Sequence, residues 1–327
     1  MIRALLWLVH GIARTTSPAH GILNSLAKRL FALLVLSLPL IPSVASADET
    51  ITATGAGPAG HILGLDISRY QHSPNSNPAK ANAIDFAAMY NAGVRFVYIN
   101  GGNTIAKADG LAAGYYAKDR PAAQSAGLLT GFYYYAHMPN TRVSKVVIAN
   151  AHNQAAKVIA RIEAQGGLNQ QDMPIALDLE TSCVRQTVFG ICTRKMSKTL
   201  VTQWATTWLA DVKSATGRNP VVYSYLSFLT TEVGDNSTLA QSPLWISTAG
   251  INPAAPGASP ANKKRKGGMC YKTAWMDSQC SLHWTIWQYS SGGIGKTFGL
   301  AGGKVDLDIF AGDEAALVSF AAGTINP

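Results

Sequence analysis

The first 47 residues contain no aspartate or glutamate, although they hold four basic residues and an apolar stretch at 30–41. That stretch has only about a dozen residues, which is too short for a transmembrane helix. Lys28 and Arg29 precede it, and the small residues Ala45-Ser46-Ala47 follow it. This order is typical of a secretory signal peptide, to which we assign residues 1–47. We therefore expect a secreted or periplasmic protein with no stable membrane insertion after signal removal.

The remaining chain has no strong excess of charge. Without the four basic residues of the signal segment, the 27 lysines and arginines fall to 23, against 18 acids, and the formal net charge falls from +9 to +5. This mild excess suits an anionic polymer such as cell-wall material, although many enzymes with neutral substrates carry as much. The dense basic cluster at 263–266 lacks interleaved aromatic residues, so it indicates a solvated loop and no nucleic-acid partner.

Cysteine is scarce, and its spacing excludes the common metal motifs. The four cysteines show no C-x-x-C spacing, which argues against zinc. An even number in an exported protein suggests disulfides, and four cysteines allow three pairings. Two short loops favour the pairs Cys183–Cys192 and Cys270–Cys280. Nothing in the sequence indicates a metal, nucleotide or other cofactor.

The chain also lacks internal repeats and low-complexity tails. Residues 48–60 are rich in Thr, Ala and Gly, which predicts a flexible N-terminal arm. From residue 61 onward, strand patterns alternate with helix patterns at least five times, which predicts a parallel sheet of βα units. The predicted strands are 61–68, 94–100, 128–135, 173–179 and 220–224, and the predicted helices are 84–90, 109–126, 144–165 and 199–216.

Two local signals set expected boundaries within these elements. Gly101-Gly102-Asn103 should turn the chain out of the second strand, and Pro121 should break or restart the second helix. After Pro243 the pattern changes, because the predicted strands 244–247, 284–289 and 304–309 have no evident helices between them. We expect residues 61–327 to form one barrel-like catalytic domain.

The stretch Met173–Thr181 ends an apolar run in two carboxylates, Asp178 and Glu180. Side chains alternate along a strand, so these two point to the same side, roughly 6.6 Å apart. Like charges this close raise the pKa of at least one group, which leaves one acid and one anion, as glycosidic bond cleavage requires. An isolated D-x-E is more often a solvated strand end, so other residues must support this interpretation.

Further acids and aromatic residues stand at other predicted strand ends. Asp66 lies near the end of the first strand, and Asp306 lies in the last, with Asp308 two residues on. In a barrel of βα units the C-terminal strand ends meet at one face. Acids surrounded by aromatic rings, which stack on sugars, predict a carbohydrate cleft, although any single aromatic could be a core residue. The aromatic candidates are Tyr133, Tyr135, Tyr223, Tyr225, Trp245, Trp287 and Tyr289.

These segments resemble glycoside hydrolase family 25, the Chalaropsis-type lysozymes. Gly64–Gln71 is similar to the family's opening G-x-D-x-S-x-x-Q, and Ala176–Glu180 is similar to its D-x-E strand. The resemblance runs in order over roughly 61–312. The other similar segments are 126–135, 220–223, 244–246, 287–290 and 305–308.

The resemblance implies an α/β fold, a modified TIM-like barrel of five βα units followed by three short strands. It also implies N-acetylmuramidase activity on the β-1,4 bond between N-acetylmuramic acid and N-acetylglucosamine in peptidoglycan. Glu180 would be the general acid and Asp178 its partner, with Asp66 and Asp306 in the same cleft. The substrate-binding residues would be Tyr133, Tyr223, Trp245, Trp287 and Gln288.

Departures from the family pattern leave the substrate preference open. Ile99–Asn103 lacks the usual Lys and acidic or Gln residue, Tyr134 replaces a customary His, and both cysteine loops look like insertions. The alternatives are a glycosidase of another acetamido-sugar polymer, such as chitin, and a catalytically weak wall-binding module. We expect peptidoglycan glycan strands as the partner, a monomer, and substrate-assisted attack by the acetamido group, with a protein nucleophile or inversion by water as other courses.

Overall fold

The computed structural model describes residues 57–233, 235–261 and 269–324. The expected signal peptide, the basic cluster at 263–266 and most of the expected N-terminal arm lie outside these ranges. The described end of the arm, 57–60, forms one 3-10 turn over Pro58–Gly60. There the Gly57 N–H donates to the His61 carbonyl at 2.6 Å, which fixes this end beside the first strand.

Eight of the described strands close into one barrel, in the order β1-β10-β9-β8-β7-β4-β3-β2, and β5 pairs with β6 in a separate hairpin. β10 runs antiparallel to both of its neighbours, whereas the other adjacent barrel strands are parallel. The strands are β1 (Ile62–Ile67), β2 (Val94–Asn103), β3 (Leu129–Tyr135), β4 (Ala176–Asp178), β5 (Cys183–Gln186), β6 (Cys192–Lys195), β7 (Val221–Tyr225), β8 (Leu244–Ser247), β9 (Ile286–Ile294) and β10 (Lys304–Phe310).

Helices connect the parallel strands. Full helices follow β1, β2 and β3, and another follows the β5–β6 hairpin. β7 is followed by the short α5, a wide helical turn at Leu229–Val233 and a 3-10 turn at Leu239–Gln241. Within the described ranges, no helix is both long and apolar enough to cross a membrane. The helices are α1 (Phe86–Asn91), α2 (Ala106–Ser125), α3 (Ser144–Glu163), α4 (Lys198–Thr216), α5 (Leu226–Phe228) and α6 (Glu314–Ala321).

Two element boundaries differ from the sequence expectation. The expected exit turn at 101–103 is wrong, because β2 continues to Asn103 by pairing with β3 across a register shift after Asn100. The expected break at Pro121 is also wrong, because α2 runs through it. The Pro121 ring is exposed to solvent, while Tyr116 and Ala123 on either side of it are buried against the barrel. Packing on both sides therefore outweighs the lost backbone hydrogen bond.

The last third of the chain is more regular than its sequence suggested. β9 spans nine residues, so the closing strands are not all short. The sequence analysis did not predict α6, although Asp313 is a good N-cap and its carboxylate accepts from the Ala316 N–H at 2.8 Å. The described residues between β8 and β10 contain no α-helix.

One end of the barrel is closed and the other is open. The register of β1 and β10 pairs Ile62 with Phe310 at one end and Asp66 with Asp306 at the other. At the Phe310 end, Phe320 of α6 packs against the interior, with the two ring centroids 5.6 Å apart. A second apolar core fills the space between the barrel and its outer helices. The acidic end is thus left as the accessible mouth.

Both favoured disulfides are present. Cys183–Cys192 joins β5 to β6, and Cys270–Cys280 closes a loop before β9. The first bond holds the hairpin immediately after Glu180. The cysteine loop at this position is therefore a fixed part of the barrel mouth.

We expect Gly131→Ala to destabilise the fold by about 1–3 kcal/mol, because overpacking forces neighbours apart. A Cβ at Gly131 would lie 2.2 Å from the ring of Tyr98, whose hydroxyl is held by the Pro174 carbonyl. Thermal unfolding measures the effect. Gly110→Ala is the matched control: it meets no atom within 4 Å and should stabilise α2 by about 0.5–1 kcal/mol. Equal melting temperatures for the two variants would contradict the packing.

Candidate active site

Three strand ends bring four acids together around one cleft. Asp66 lies near the end of β1 beside Asp306 of β10, Asp178 is the last residue of β4, and Glu180 follows two residues later. All four line a cleft of about 360 Å³. The parallel strands deliver their C-terminal ends to this face, and antiparallel β10 brings Asp306 to it from the opposite direction.

The carboxyl groups of Asp178 and Glu180 lie close enough to affect each other's ionisation. Asp178 is buried, and no N–H or O–H of a described residue donates to its Oδ1. Burial, followed by the charge of Glu180, raises the pKa of Asp178 well above its usual value. Burial also raises the pKa of Glu180, whereas its interaction with Asp178 lowers it. Because like charges this close oppose each other's ionisation, the pair favours a state with one proton.

A second pair of carboxyls lies deeper in the barrel. Asp308 is fully buried, and its Oδ1 accepts from the indole N–H of Trp245 at 2.8 Å. Burial raises its pKa to about 8; the Trp245 hydrogen bond opposes the rise, the charge of Asp306 adds to it, and the neighbouring Asp66 side chain opposes it again. Its second oxygen, Oδ2, is buried and has no hydrogen-bond partner among the described residues, which favours the neutral form of Asp308.

Asp66 and Asp306 differ in how the structure holds them. Asp66 Oδ2 accepts from the side-chain amide of Gln288 at 2.7 Å. Burial, then Asp308 and Asp306, raise the pKa of Asp66 well above its usual value, against that hydrogen bond. Asp306 is half-buried, and burial followed by the charge of Glu180 raises its pKa to about 6. The electrostatic influence of each acid thus extends to the others.

Aromatic rings form the wall of the cleft around Trp245. The Trp245 ring centroid lies 4.6 Å from that of Tyr223 and 6.3 Å from that of Tyr133, both in edge-to-face geometry. The Tyr223 hydroxyl donates to Gln288 Oε1 at 2.9 Å, and Gln288 in turn donates to Asp66. The aromatic wall and the acids are therefore one hydrogen-bonded unit.

Two expected positions lie away from the cleft. Trp287, expected to bind substrate, is buried behind the barrel wall, where its indole N–H donates to the Thr248 carbonyl at 3.0 Å. Side chains alternate along β9, so Gln288 faces the interior and Trp287 cannot. Tyr134 also faces outward and hydrogen-bonds to Gln154 of α3. The exchange of the customary His for Tyr134 therefore does not alter the cleft lining.

The sequence analysis did not identify several residues of the cleft. Asn100 and Asn103 line it because β2 extends further than expected, next to Tyr135, which was among the aromatic candidates. Arg69 and Tyr70 stand at the rim, with the guanidinium 4.5 Å from the Tyr70 ring centroid. Among the described residues that line the cleft, Arg69 is the only base. The polar residues at the end of the segment 94–103 could have indicated that Asn100 and Asn103 line the cleft.

This arrangement can protonate a leaving oxygen and stabilise positive charge at the same point. One shared proton at Asp178–Glu180 supplies the acid, and nearby carboxyls supply the field for a cationic transition state. The partly exposed rings of Tyr133 and Tyr223 give an apolar wall against which a pyranose can pack. Acid, anion and aromatic wall together define the chemistry of a glycoside hydrolase.

The chain belongs to glycosyl hydrolases family 25, whose model matches residues 65–297. It is 27% identical over 273 residues to lysozyme M1 of Streptomyces globisporus, covering 82% of this chain and 74% of that protein. It is 26% identical over 285 residues to the N,O-diacetylmuramidase of Arthroderma benhamiae, covering 84% and 99%. The bacterial lysozyme of Streptomyces coelicolor has the same fold, with a TM-score of 0.57 at 24% identity and coverage of 82% of this chain and all of that one.

We expect Asp308→Asn to gain stability over the wild type as the pH rises. The folded protein keeps a proton on Asp308 up to a pH of about 8, whereas an unfolded aspartate releases it at about pH 4. The wild type therefore loses stability through this window, and the neutral amide does not. The difference between the two unfolding free energies should grow by at least about 1 kcal/mol over this pH range. For comparison, a shift of one pKa unit corresponds to about 1.4 kcal/mol.

Asp306→Asn serves as the comparison for this pH series. The pKa of Asp306 is raised only to about 6. The stability gained by Asp306→Asn over the wild type should therefore stop growing near pH 6. Denaturant unfolding at a series of pH values measures both variants. A difference for Asp308→Asn that does not change with pH would show that this carboxyl is ionised in the folded protein.

Proposed function

We propose that this protein hydrolyses the β-1,4 bond between N-acetylmuramic acid and N-acetylglucosamine in peptidoglycan. The observation that carries the proposal is the adjacent carboxyl pair Asp178–Glu180 in an aromatic-walled acidic cleft. The relatives named lysozyme M1 and N,O-diacetylmuramidase support the choice of substrate. Glu180 is the general acid, Asp178 the polarising partner, and Asp66 and Asp306 the flanking carboxyls.

The two paired acids differ in burial, and this difference decides which of them holds the proton before the sugar binds. Asp178 is buried and Glu180 is half-buried, so the empty site favours the neutral form of Asp178. A bound sugar changes this balance, because its acetamido N–H donates a hydrogen bond to Asp178 and favours the carboxylate there. The shared proton then moves to Glu180, which faces the leaving oxygen.

The bond is cleaved in two balanced steps. Glu180 transfers its proton to the glycosidic oxygen while the acetamido carbonyl oxygen attacks C1, giving an oxazolinium ion and a free alcohol on the leaving sugar. Asp178 stabilises the positive nitrogen of that ring. Water then attacks C1, gives its proton to Glu180 and reopens the ring with net retention. Asp66 and Asp306 contribute negative potential to both transition states.

Tyr133, Tyr223 and Trp245 position the reacting sugar in this proposal. Their rings form the wall next to the acids, and Gln288 links Tyr223 to Asp66. We also infer that the protein acts outside the cytoplasm. The signal-like residues 1–47 support export. The two disulfides agree with it, because disulfides persist in oxidising compartments.

We expect Glu180→Gln to lose about 10²–10⁴-fold in kcat, because the amide keeps its shape but has no acidic proton to transfer. Loss of turbidity of a peptidoglycan suspension measures activity, and co-sedimentation with insoluble wall should show that binding remains. Glu163→Gln, at the exposed end of α3, is the matched control and should be fully active. Near-normal turnover by Glu180→Gln would remove this residue from the role of general acid.

We expect the first product to retain the β configuration, and de-N-acetylated glycan to resist cleavage. The acetamido oxygen is the nucleophile here, so a free amine in its place removes the reaction path. Proton NMR of fresh digests identifies the first anomer, and comparing acetylated with de-N-acetylated strands tests the group itself. An inverted first product, or equal rates on both strands, would contradict substrate assistance.

A further inference from the structure

A second cavity opens on the other side of Glu180. It has a volume of about 330 Å³ and shares Glu180 in its lining with the catalytic cleft. The β5–β6 hairpin, closed by Cys183–Cys192, forms one wall, and Tyr225 and Phe228 form another. We call it the hairpin cavity. Glu180, the proposed general acid, lines both spaces. The part of a bound substrate that adjoins the cleaved bond therefore lies beside the hairpin cavity.

The hairpin cavity differs from the cleft in charge. Between Thr181 and Ser197 the chain carries three basic residues, Arg185, Arg194 and Lys195, and no acid. The cleft lining holds four acids and one base. The lining of the hairpin cavity itself is of mixed charge, because Lys195 stands there with Glu180 and Glu232. The basic hairpin beside it favours a ligand that is neutral where it is cut and carries an anionic group close to Lys195.

Lys195 places a solvent-accessible positive charge in this cavity. Its Nζ lies 2.6 Å from Glu232 Oε1, and its side chain is still 60% exposed. The hydroxyl of Ser182 donates to the other Glu232 oxygen at 2.8 Å, so this carboxylate is held from two sides. An ammonium group has three donors, and one bond to Glu232 leaves the others free for a second carboxylate.

We propose that the hairpin cavity binds the acidic peptide stem of a muramyl residue next to the cut bond, with Lys195 contacting a stem carboxylate. This inference rests on the proposed function and adds a specificity site to it. Neutral sugars need flat apolar walls, as in the cleft, whereas the stem carries amides and carboxylates that match the ion pair, the hydroxyl and the basic hairpin. The site would make the enzyme prefer strands that still carry their peptides.

The test compares two substrates with and without the Lys195 charge. Intact peptidoglycan strands and the same strands stripped of stems by an amidase are digested, and reducing ends are counted over a range of substrate concentrations. Lys195→Ala should raise KM on intact strands about two- to fivefold, as for one exposed ion pair. Its kcat on intact strands and both constants on stripped strands should stay unchanged.

Two further variants separate charge from structure. Lys213→Ala removes the same charge from the exposed end of α4 and should leave the substrate preference unchanged. Lys195→Arg keeps the cation and should keep the preference for intact strands. Raised salt should weaken that preference in the wild type, because ionic contacts at an exposed site are screened.

The outcomes distinguish this inference from the proposed function. If Lys195→Ala raises KM equally on both substrates, or on neither, stem binding at the hairpin cavity is refuted while muramidase activity stands. If the wild type releases no reducing ends from either substrate, the proposed function itself fails. Loss of preference in Lys195→Arg would also contradict recognition by charge.

Discussion

The site depends on keeping several carboxyl groups buried side by side at the mouth of the barrel. Burial and mutual repulsion both penalise ionisation, so the groups remain together only by sharing protons or by accepting from fixed donors. Fixed donors are present at the deeper pair, where Trp245 donates to Asp308 and Gln288 donates to Asp66. The raised pKa values of Asp178 and Asp308 favour a retained proton at each pair. Stability is given up here for carboxyl groups whose raised pKa favours the acid form.

The same constraint explains the surroundings of the acids. The donors to the deeper pair come from β8 and β9, so the closing strands carry the polar support and the βα units carry Asp178 and Glu180. α6 closes the far end of the barrel and keeps water from the carboxyls below. The hairpin after Glu180 then places basic groups outside the acidic region. The fold therefore separates an acidic reaction centre from a basic flank.

Sequence reasoning located the four acids because each stands at a strand end, where register alone decides the direction of the side chain. It misplaced Trp287 because the adjacent Gln288 was also assigned to the cleft, and neighbours on one strand cannot share a face. It did not assign a role to Asp308, whose importance depends on total burial and on the Trp245 indole. The extension of β2 to Asn103 was missed because a register shift in pairing, invisible in sequence, overrode two glycines.

Infrared spectroscopy of the carboxyl groups in the free protein tests the shared protons most directly. At neutral pH the wild type should show the C=O stretch of protonated carboxylic acids, and the band should shrink when Asp178 or Asp308 is replaced by asparagine. Titration to alkaline pH should remove it. A wild-type spectrum at neutral pH that contains only carboxylate bands would contradict proton sharing at the barrel mouth.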